Sequence, residues 1–290
     1  MGSSPTSGPS SCPSHVAADE LLDELTTTMG SRREARWLLE DLDGAGGTDD
    51  AARARRLAAR RAAGEPLQYV LGHWRFRGLD LLVDARALIP RPETELLAGL
   101  AVARARARGD GAIVCDLGCG TGAIALSVAV EAAQARLLVE VHASDVDEDA
   151  LALARCNAER VGASGVQFHA GSWYEALPTS LRGRVDVCCA NPPYVGVDER
   201  RTLAKELDFE PEVALVAPDG ADGTPGLSAI EAVLGAARDW LAPGGTLLVE
   251  HGDAQRAAVL ALAARCGFVV VADHDDLAGR PRVLEARGRP

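Results

Sequence analysis

From Ala112 onward, strand-length apolar runs alternate with helical segments, and this alternation limits the fold more than any other feature of the chain. Strands are expected at 112–116, 138–144, 165–169, 184–190, 244–250, 267–272 and 282–287, with helices between most of them. Runs this apolar must be buried on both sides. The expectation is therefore an α/β fold, a largely parallel sheet covered by helices on both faces. The 290 residues leave room for one such domain and a small accessory one. In sheets of this kind ligands bind at the carboxyl ends of the strands, near the point where strand order reverses.

Two short motifs sit at such strand ends. Ile113-Val-Cys-Asp116 runs into Gly118, Cys119, Gly120, Thr121 and Gly122, and an apolar helix opens directly afterwards. Glycines tolerate positive φ and let a ligand approach the backbone, and the helix N-terminus favours negative ligand charge. The spacing is Gly-x-Gly-x-Gly, not the Gly-x-Gly-x-x-Gly of dinucleotide folds. The next strand ends in Asp145, about 25 residues after the loop, where a carboxylate can accept both hydroxyls of a ribose. Asp147 and Asp149 compete for that role, but as first-turn acids they suit a helix start. A third strand end carries Trp173, an aromatic able to pack on adenine or simply to fill the core. The joint pattern points to a nucleoside cofactor.

The second motif is Asn191-Pro192-Pro193-Tyr194, directly after the strand Arg184–Ala190. Amide and exocyclic amino nitrogens are poor nucleophiles because their lone pair is delocalised. A site can help by accepting hydrogen bonds from both N–H groups. The Asn191 side-chain oxygen and the Pro192 carbonyl are suitable acceptors. Two prolines stiffen the backbone, and Tyr194 offers a flat wall for a planar group. Asn191, Pro192 and Tyr194 are therefore the candidate catalytic residues. With the glycine loop, the motif points to S-adenosylmethionine-dependent methylation of a weakly basic nitrogen. Glu250-His-Gly252, with Gln255 after it, ends a further strand and either closes the pocket or caps a helix.

Ahead of this domain, residues 1–15 are rich in Ser, Pro and Gly and are expected to be a disordered tail. Residues 16–64 read as a small helical domain. Leu21, Leu22 and Leu25 form one stripe, and Ser31-Arg-Arg-Glu34 reads as a capping box opening a second helix with Ala35, Leu38 and Leu39. Thr48 is a candidate cap for a third, Arg-rich helix whose arginines are either a solvated face or a docking surface. Residues 65–87 change period and are expected to form a β-hairpin connector, with Tyr69, Val70, Trp74 and Phe76 broken by Gly72 and Gly78. The catalytic domain is expected over 88–290, opening on Leu88-Ile-Pro-Arg-Pro-Glu-Thr-Glu95.

A formal net charge of -12 argues against broad docking on nucleic acid, where phosphate neutralisation drives affinity. The seven cysteines include no Cys-x-x-Cys and several fall in expected strands, so no metal centre is expected. The six histidines are scattered. No leader and no membrane-crossing run is apparent, so a cytoplasmic protein is expected.

The chain resembles the PrmC (HemK) family of protein-(glutamine-N5) methyltransferases. The resemblance rests on Gly64-Glu-Pro-Leu-Gln-Tyr69 with Gly72, on Leu88–Glu95, on Asp116–Gly122 and Asn191–Tyr194, and on Phe209-Glu-Pro211 and Leu248–Gly252. It runs from about residue 16 to residue 287, nearly the whole chain. It implies a Rossmann-like class I methyltransferase domain that methylates the glutamine of the Gly-Gly-Gln loop in class I peptide chain release factors. S-adenosylmethionine would be the donor and the enzyme a monomer, with the helical domain docking the substrate. The implied cofactor contacts are Gly118–Gly122, Asp145, Trp173 and Asn191, and Asn191–Tyr194 would hold the glutamine. Related enzymes acting on a ribosomal-protein glutamine carry a different run after Pro-Arg, so Pro92–Glu95 favours release factors. Ser172 departs from the family, which usually has an acid just before that tryptophan. The alternatives are an amino-methyltransferase acting on a nucleic-acid base and a ribosomal-protein glutamine methyltransferase.

Overall fold

A computed structural model describes residues 13–43 and 49–288. The chain divides into two compact units, Met1–Leu71 and Gly72–Pro290.

The first unit contains α1 (Pro13–Met29), α2 (Arg32–Asp43), α3 (Asp50–Ala62) and the short α4 (Leu67–Leu71). Leu25, Ala35, Leu38, Leu42, Ala54, Ala58 and Val70 close its core. Ser31 Oγ accepts from the Glu34 backbone N–H at 3.3 Å, but Glu34 does not return the capping bond, because its carboxylate pairs with Arg61 at 2.7 Å. Arg55 and Arg60 pair with Glu24 and Glu65. Arg55 and Arg61 thus tie α3 to α1 and α2, and Arg60 ties it to the turn that follows. Residues 1–12 of the expected tail, and the proposed cap Thr48, lie outside the described residues. Helix α1 begins at Pro13, three positions before the expected start at Val16.

The expected hairpin starts later than the sequence suggested. Residues 67–71 are helical, with Leu67, Tyr69 and Val70 buried. Leu67, Val70 and Leu71 repeat at helical spacing, and Gly72, at φ +82°, ends the turn. The hairpin itself is β1 (His73–Phe76) paired with β2 (Leu79–Leu82). Arg77 and Gly78 both have positive φ, 46° and 79°, the combination a two-residue turn of the primed type requires.

The second unit continues with α5 (Thr94–Arg108), β3 (Ala112–Leu117), α6 (Ala123–Gln134), β4 (Val139–Asp145), α7 (Glu148–Arg160), β5 (Gln167–Ala170) and β6 (Val185–Ala190). A two-strand ribbon, β7 (Val195–Gly196) and β8 (Val216–Ala217), follows. Then come α8 (Ser228–Ala237), β9 (Leu241–Glu250), α9 (Arg256–Arg265), β10 (Val269–Asp275) and β11 (Pro281–Arg287). The seven-stranded sheet has the order β10-β11-β9-β6-β3-β4-β5. Neighbours from β9 to β5 are parallel, and β11 runs antiparallel to both β9 and β10.

Every residue of the central strand β3 is buried. One apolar layer forms under α5, α6 and α7, and a second under α8 and α9. Cys115, Cys188 and Cys189 are fully buried fillers whose thiols burial pushes up. Chain order reverses at β3, between β4 and β6, so the carboxyl ends of these three strands form the crevice.

Candidate functional site

After β3 the chain turns through Gly118, Gly120 and Gly122 at φ +70°, +53° and +82°. These are left-handed conformations that side chains with a Cβ resist. A Cβ on Gly118 would lie 3.0 Å from the Trp173 ring, and one on Gly122 3.1 Å from Leu126. The loop is therefore packed on both sides at backbone level. Asp116, fully buried, accepts the Ala125 backbone N–H through Oδ2 at 3.0 Å, serving an otherwise unpaired donor in the first turn of α6. Its Oδ1 is buried without a partner, and burial pushes the carboxyl up to about 7.

Asp145, the last residue of β4, accepts the Gly120 N–H at 2.8 Å and the Asp147 N–H at 3.0 Å. Its carboxyl is also raised, chiefly by burial. The Asp147 carboxylate accepts the Asp149 N–H at 2.8 Å and so caps α7. Asp145 thus engages backbone N–H groups through both oxygens and Asp147 through one, and both acids line the cavity described below. Neither Asp116 nor Asp145 is ion-paired among the described residues. A buried carboxyl without a counter-charge favours a ligand that brings positive charge.

Trp173 follows Ser172 and has a left-handed backbone, φ +43°, unusual for a bulky residue. The Ser144 hydroxyl donates to its carbonyl at 3.0 Å and helps hold that conformation. The indole packs over Gly118, and both residues, with Ser172, line the cavity described below.

Asn191 and Pro193 line the same cavity. The Asn191 side chain donates through Nδ2 to the Thr94 hydroxyl at 3.1 Å, so Oδ1 is the end of the amide left to accept. Among the described residues no backbone N–H donates to the Pro192 carbonyl, and Pro192 itself is buried. Tyr194 does not line the cavity. Its hydroxyl donates to Glu250 Oε1 at 3.3 Å, and its carbonyl accepts from Gln255 Nε2 at 3.0 Å. Gln255 also donates to the Pro225 carbonyl at 2.7 Å and accepts the Gly252 N–H at 3.0 Å. The sequence left pocket closure and capping open for the stretch after β9. Gln255 caps the turn and braces the clamp backbone together. Gly226 allows this close approach: a Cβ there would lie 2.2 Å from the Tyr194 carbonyl oxygen.

Sequence reasoning overlooked the side chains that assemble the two motifs. Glu210, in the loop between β7 and β8, accepts the Ile89 N–H at 3.0 Å and pairs with Arg91 at 2.5 Å. Two segments that the resemblance treated separately, Leu88–Glu95 and Phe209–Pro211, are thus one structure. Asn157 on α7 bonds both backbone groups of Leu82 and the carbonyl of Thr121, tying the hairpin to the glycine loop. Glu210 and Arg91 at least lie within family-like motifs, whereas Asn157 carried no such signal.

These elements enclose a cavity of about 330 Å³. The glycine loop, Asp145 and Trp173 form one part of its lining, and Asn191, Arg91 and Thr94 another. Among the described residues no group of three His, Cys, Asp or Glu could hold a metal ion.

Residues 108–268 match a family model described as a methyltransferase domain. A release factor glutamine methyltransferase of Bordetella pertussis is 42% identical over 252 residues, covering 87% of this chain and 88% of that protein. One from Neisseria gonorrhoeae is 43% identical over 231 residues, covering 80% of each. Among solved structures, a methyltransferase from Pyrococcus furiosus superposes with a TM-score of 0.52 at 18% identity. It spans 84% of this chain and 100% of that one, and shows the shared α/β methyltransferase fold. The chain belongs to the release factor glutamine methyltransferase family.

Proposed function

We propose that this chain methylates the side-chain amide nitrogen (N5) of the glutamine in the Gly-Gly-Gln loop of class I peptide chain release factors. The observation that carries this reading is the held Asn191 amide. With Nδ2 on Thr94, Asn191 offers Oδ1 on the wall of the same cavity that the glycine loop lines, and the next carbonyl along the chain is that of Pro192. S-adenosylmethionine, when bound, supplies an electrophilic methyl group on a sulfonium. The glycine loop and the first turn of α6 would receive its carboxylate, Asp145 its ribose hydroxyls and Trp173 its adenine. The uncompensated Asp116 and Asp145 suit a ligand carrying positive charge.

Asn191 Oδ1 and the Pro192 carbonyl accept the two N–H groups of the target amide and present the nitrogen lone pair to the methyl. Alignment and exclusion of water supply most of the acceleration. No ionised base need act first. The nitrogen becomes strongly acidic once alkylated, and the proton held at the Asn191 or Pro192 oxygen leaves to water.

The remainder of the reading concerns partners. The -12 net charge disfavours a direct nucleic-acid substrate. Among the described residues no helix is long and apolar enough to cross a membrane, which is compatible with the cytoplasm, where release factors act. The helical domain of residues 16–64 is proposed to add docking surface for the folded substrate. Arg53 and Arg56 fit that role best, since neither pairs within the described residues.

The test is to incubate the enzyme with methyl-labelled cofactor and a class I release factor, then locate the label by mass spectrometry. The label is expected on the Gly-Gly-Gln glutamine alone, with none taken up by a Gln→Ala factor. Label on another residue or on RNA refutes the assignment. For the cofactor half, Asp145→Ala is expected to weaken binding about 10- to 100-fold, the range for hydrogen bonds to a charged acceptor. Unchanged affinity by calorimetry would move the ribose contact to Asp147.

A further inference from the structure

The Asn191 clamp works only if its amide faces the right way. The oxygen and nitrogen ends of an amide have nearly the same shape, so their hydrogen-bond partners select the orientation. The partner here is Thr94, and a hydroxyl can donate or accept. Its contact with Nδ2 therefore selects the orientation only if the hydroxyl hydrogen is committed elsewhere.

The structure offers one place for that hydrogen. Thr94 is buried, its hydroxyl is within hydrogen-bonding reach of the Glu250 carboxyl, and Asn191 Nδ2 lies 3.1 Å from its oxygen. Beside it stands Glu250, 1% exposed at the end of β9. Oε1 of Glu250 accepts from Tyr194, and Oε2 is buried without a partner. The Thr94 hydroxyl thus adjoins a buried carboxylate with one oxygen still in need of a donor.

We propose that Thr94 and Glu250 are positioning residues for methyl transfer: the Glu250 carboxylate draws the Thr94 hydrogen, which leaves the Thr94 oxygen able only to accept from Asn191 Nδ2 and so directs Asn191 Oδ1 to the substrate amide. This rests on the reading of Asn191 as the amide clamp. When Glu250 is ionised, the chain of donors runs Asn191 to Thr94 to Glu250. When Glu250 is protonated, its own O–H donates to Thr94. The Thr94 hydrogen then turns to Asn191, the amide reverses, and an NH₂ group confronts the substrate's N–H.

The midpoint of this reversal falls near neutrality, since burial pushes Glu250 up to about 7. The Thr94 and Tyr194 hydroxyls and the Arg282 guanidinium oppose that rise, and Glu93 adds to it. His251 is turned away, toward Asp273 and the Gly252 carbonyl. Tyr194 is itself held protonated by burial and by Glu250, so it stays a donor throughout. Turnover should rise with pH through the Glu250 transition and fall below it.

The decisive experiment reads the relay without any substrate. In protein labelled at Glu carboxyl carbons and Asn side-chain nitrogens, the Asn191 amide resonances should move with the same midpoint as the Glu250 carboxyl. In Thr94→Val, Glu250 should still titrate while Asn191 no longer follows. In Thr94→Ser the coupling should return. An Asn191 signal that ignores Glu250 in the unaltered protein, or follows it in Thr94→Val, overturns the proposal.

Kinetics provide the second arm. Glu250→Gln should lower kcat about 10- to 100-fold, keep cofactor affinity within about twofold and remove the acid limb of the pH profile. An acid limb that persists in a folded Glu250→Gln enzyme counts against the relay. A protein whose relay is intact by resonance, yet which leaves release factor unmethylated, refutes the substrate assignment and spares the relay.

Discussion

Asn191→Ala is expected to lower methyl transfer to release factor by about 10²- to 10³-fold, comparable to removing one preorganised polar group from a reacting centre. Cofactor affinity should change by no more than a few-fold, because the glycine loop and Asp145 are untouched. The loss should persist at saturating substrate, since an amide that binds without alignment still fails to react. Asn191→Asp is the informative companion. It keeps an acceptor but adds a charge beside the Thr94 hydroxyl, so it should recover part of the activity at most. Turnover of the alanine variant within about threefold of normal, by single-turnover kinetics, would remove Asn191 from the chemistry.

Glu210→Ala should be the most destabilising single change near the site. The Glu210 side chain is 1% exposed and holds both the Arg91 guanidinium and the Ile89 N–H. Removing it strands a partly buried cation and a backbone donor. Breaking such a pair from one side costs about 3–5 kcal/mol. In a domain of this size that corresponds to a fall in Tm of roughly 6–20 °C. Glu210→Gln retains the Ile89 contact and should lose about half as much. Denaturant titration would check both. A Glu210→Ala protein within about 1 kcal/mol of the parent would mean that water replaces the carboxylate at little cost.

The sheet was legible because its strands are short apolar runs bounded by glycines and polar turns, a local signal. Asp116–Gly122, Asp145 and Asn191 were legible for the same reason, since each follows a strand end and topology places strand ends at the crevice. Tyr69 and Val70 misled because a five-residue stretch with four apolar positions carries both periods, and the packing of Val70 in the core of Leu25 and Leu38 chose the helix. Tyr194 was expected as a wall of the pocket, yet its hydroxyl is drawn back to Glu250. The side-chain pairs Thr94–Asn191, Arg91–Glu210 and Tyr194–Gln255 had no local signal, because 97, 119 and 61 residues separate them. Such pairs become visible only when the backbone has been brought together.

Those separations also order events in the life of the chain. The part of the crevice lined by the glycine loop, Asp145 and Trp173 draws on residues 112–173, a continuous stretch of sequence. The proposed amide clamp draws on Thr94 from before the sheet, Asn191 from its middle, and Glu250 from the end of β9. A growing polypeptide therefore gains the means to hold its donor well before it can orient an acceptor. Contacts this distant form slowly, since loop closure must precede any gain from them. A nascent chain arrested short of residue 250 would lack Glu250, so modification would begin only once the enzyme's own synthesis is nearly complete.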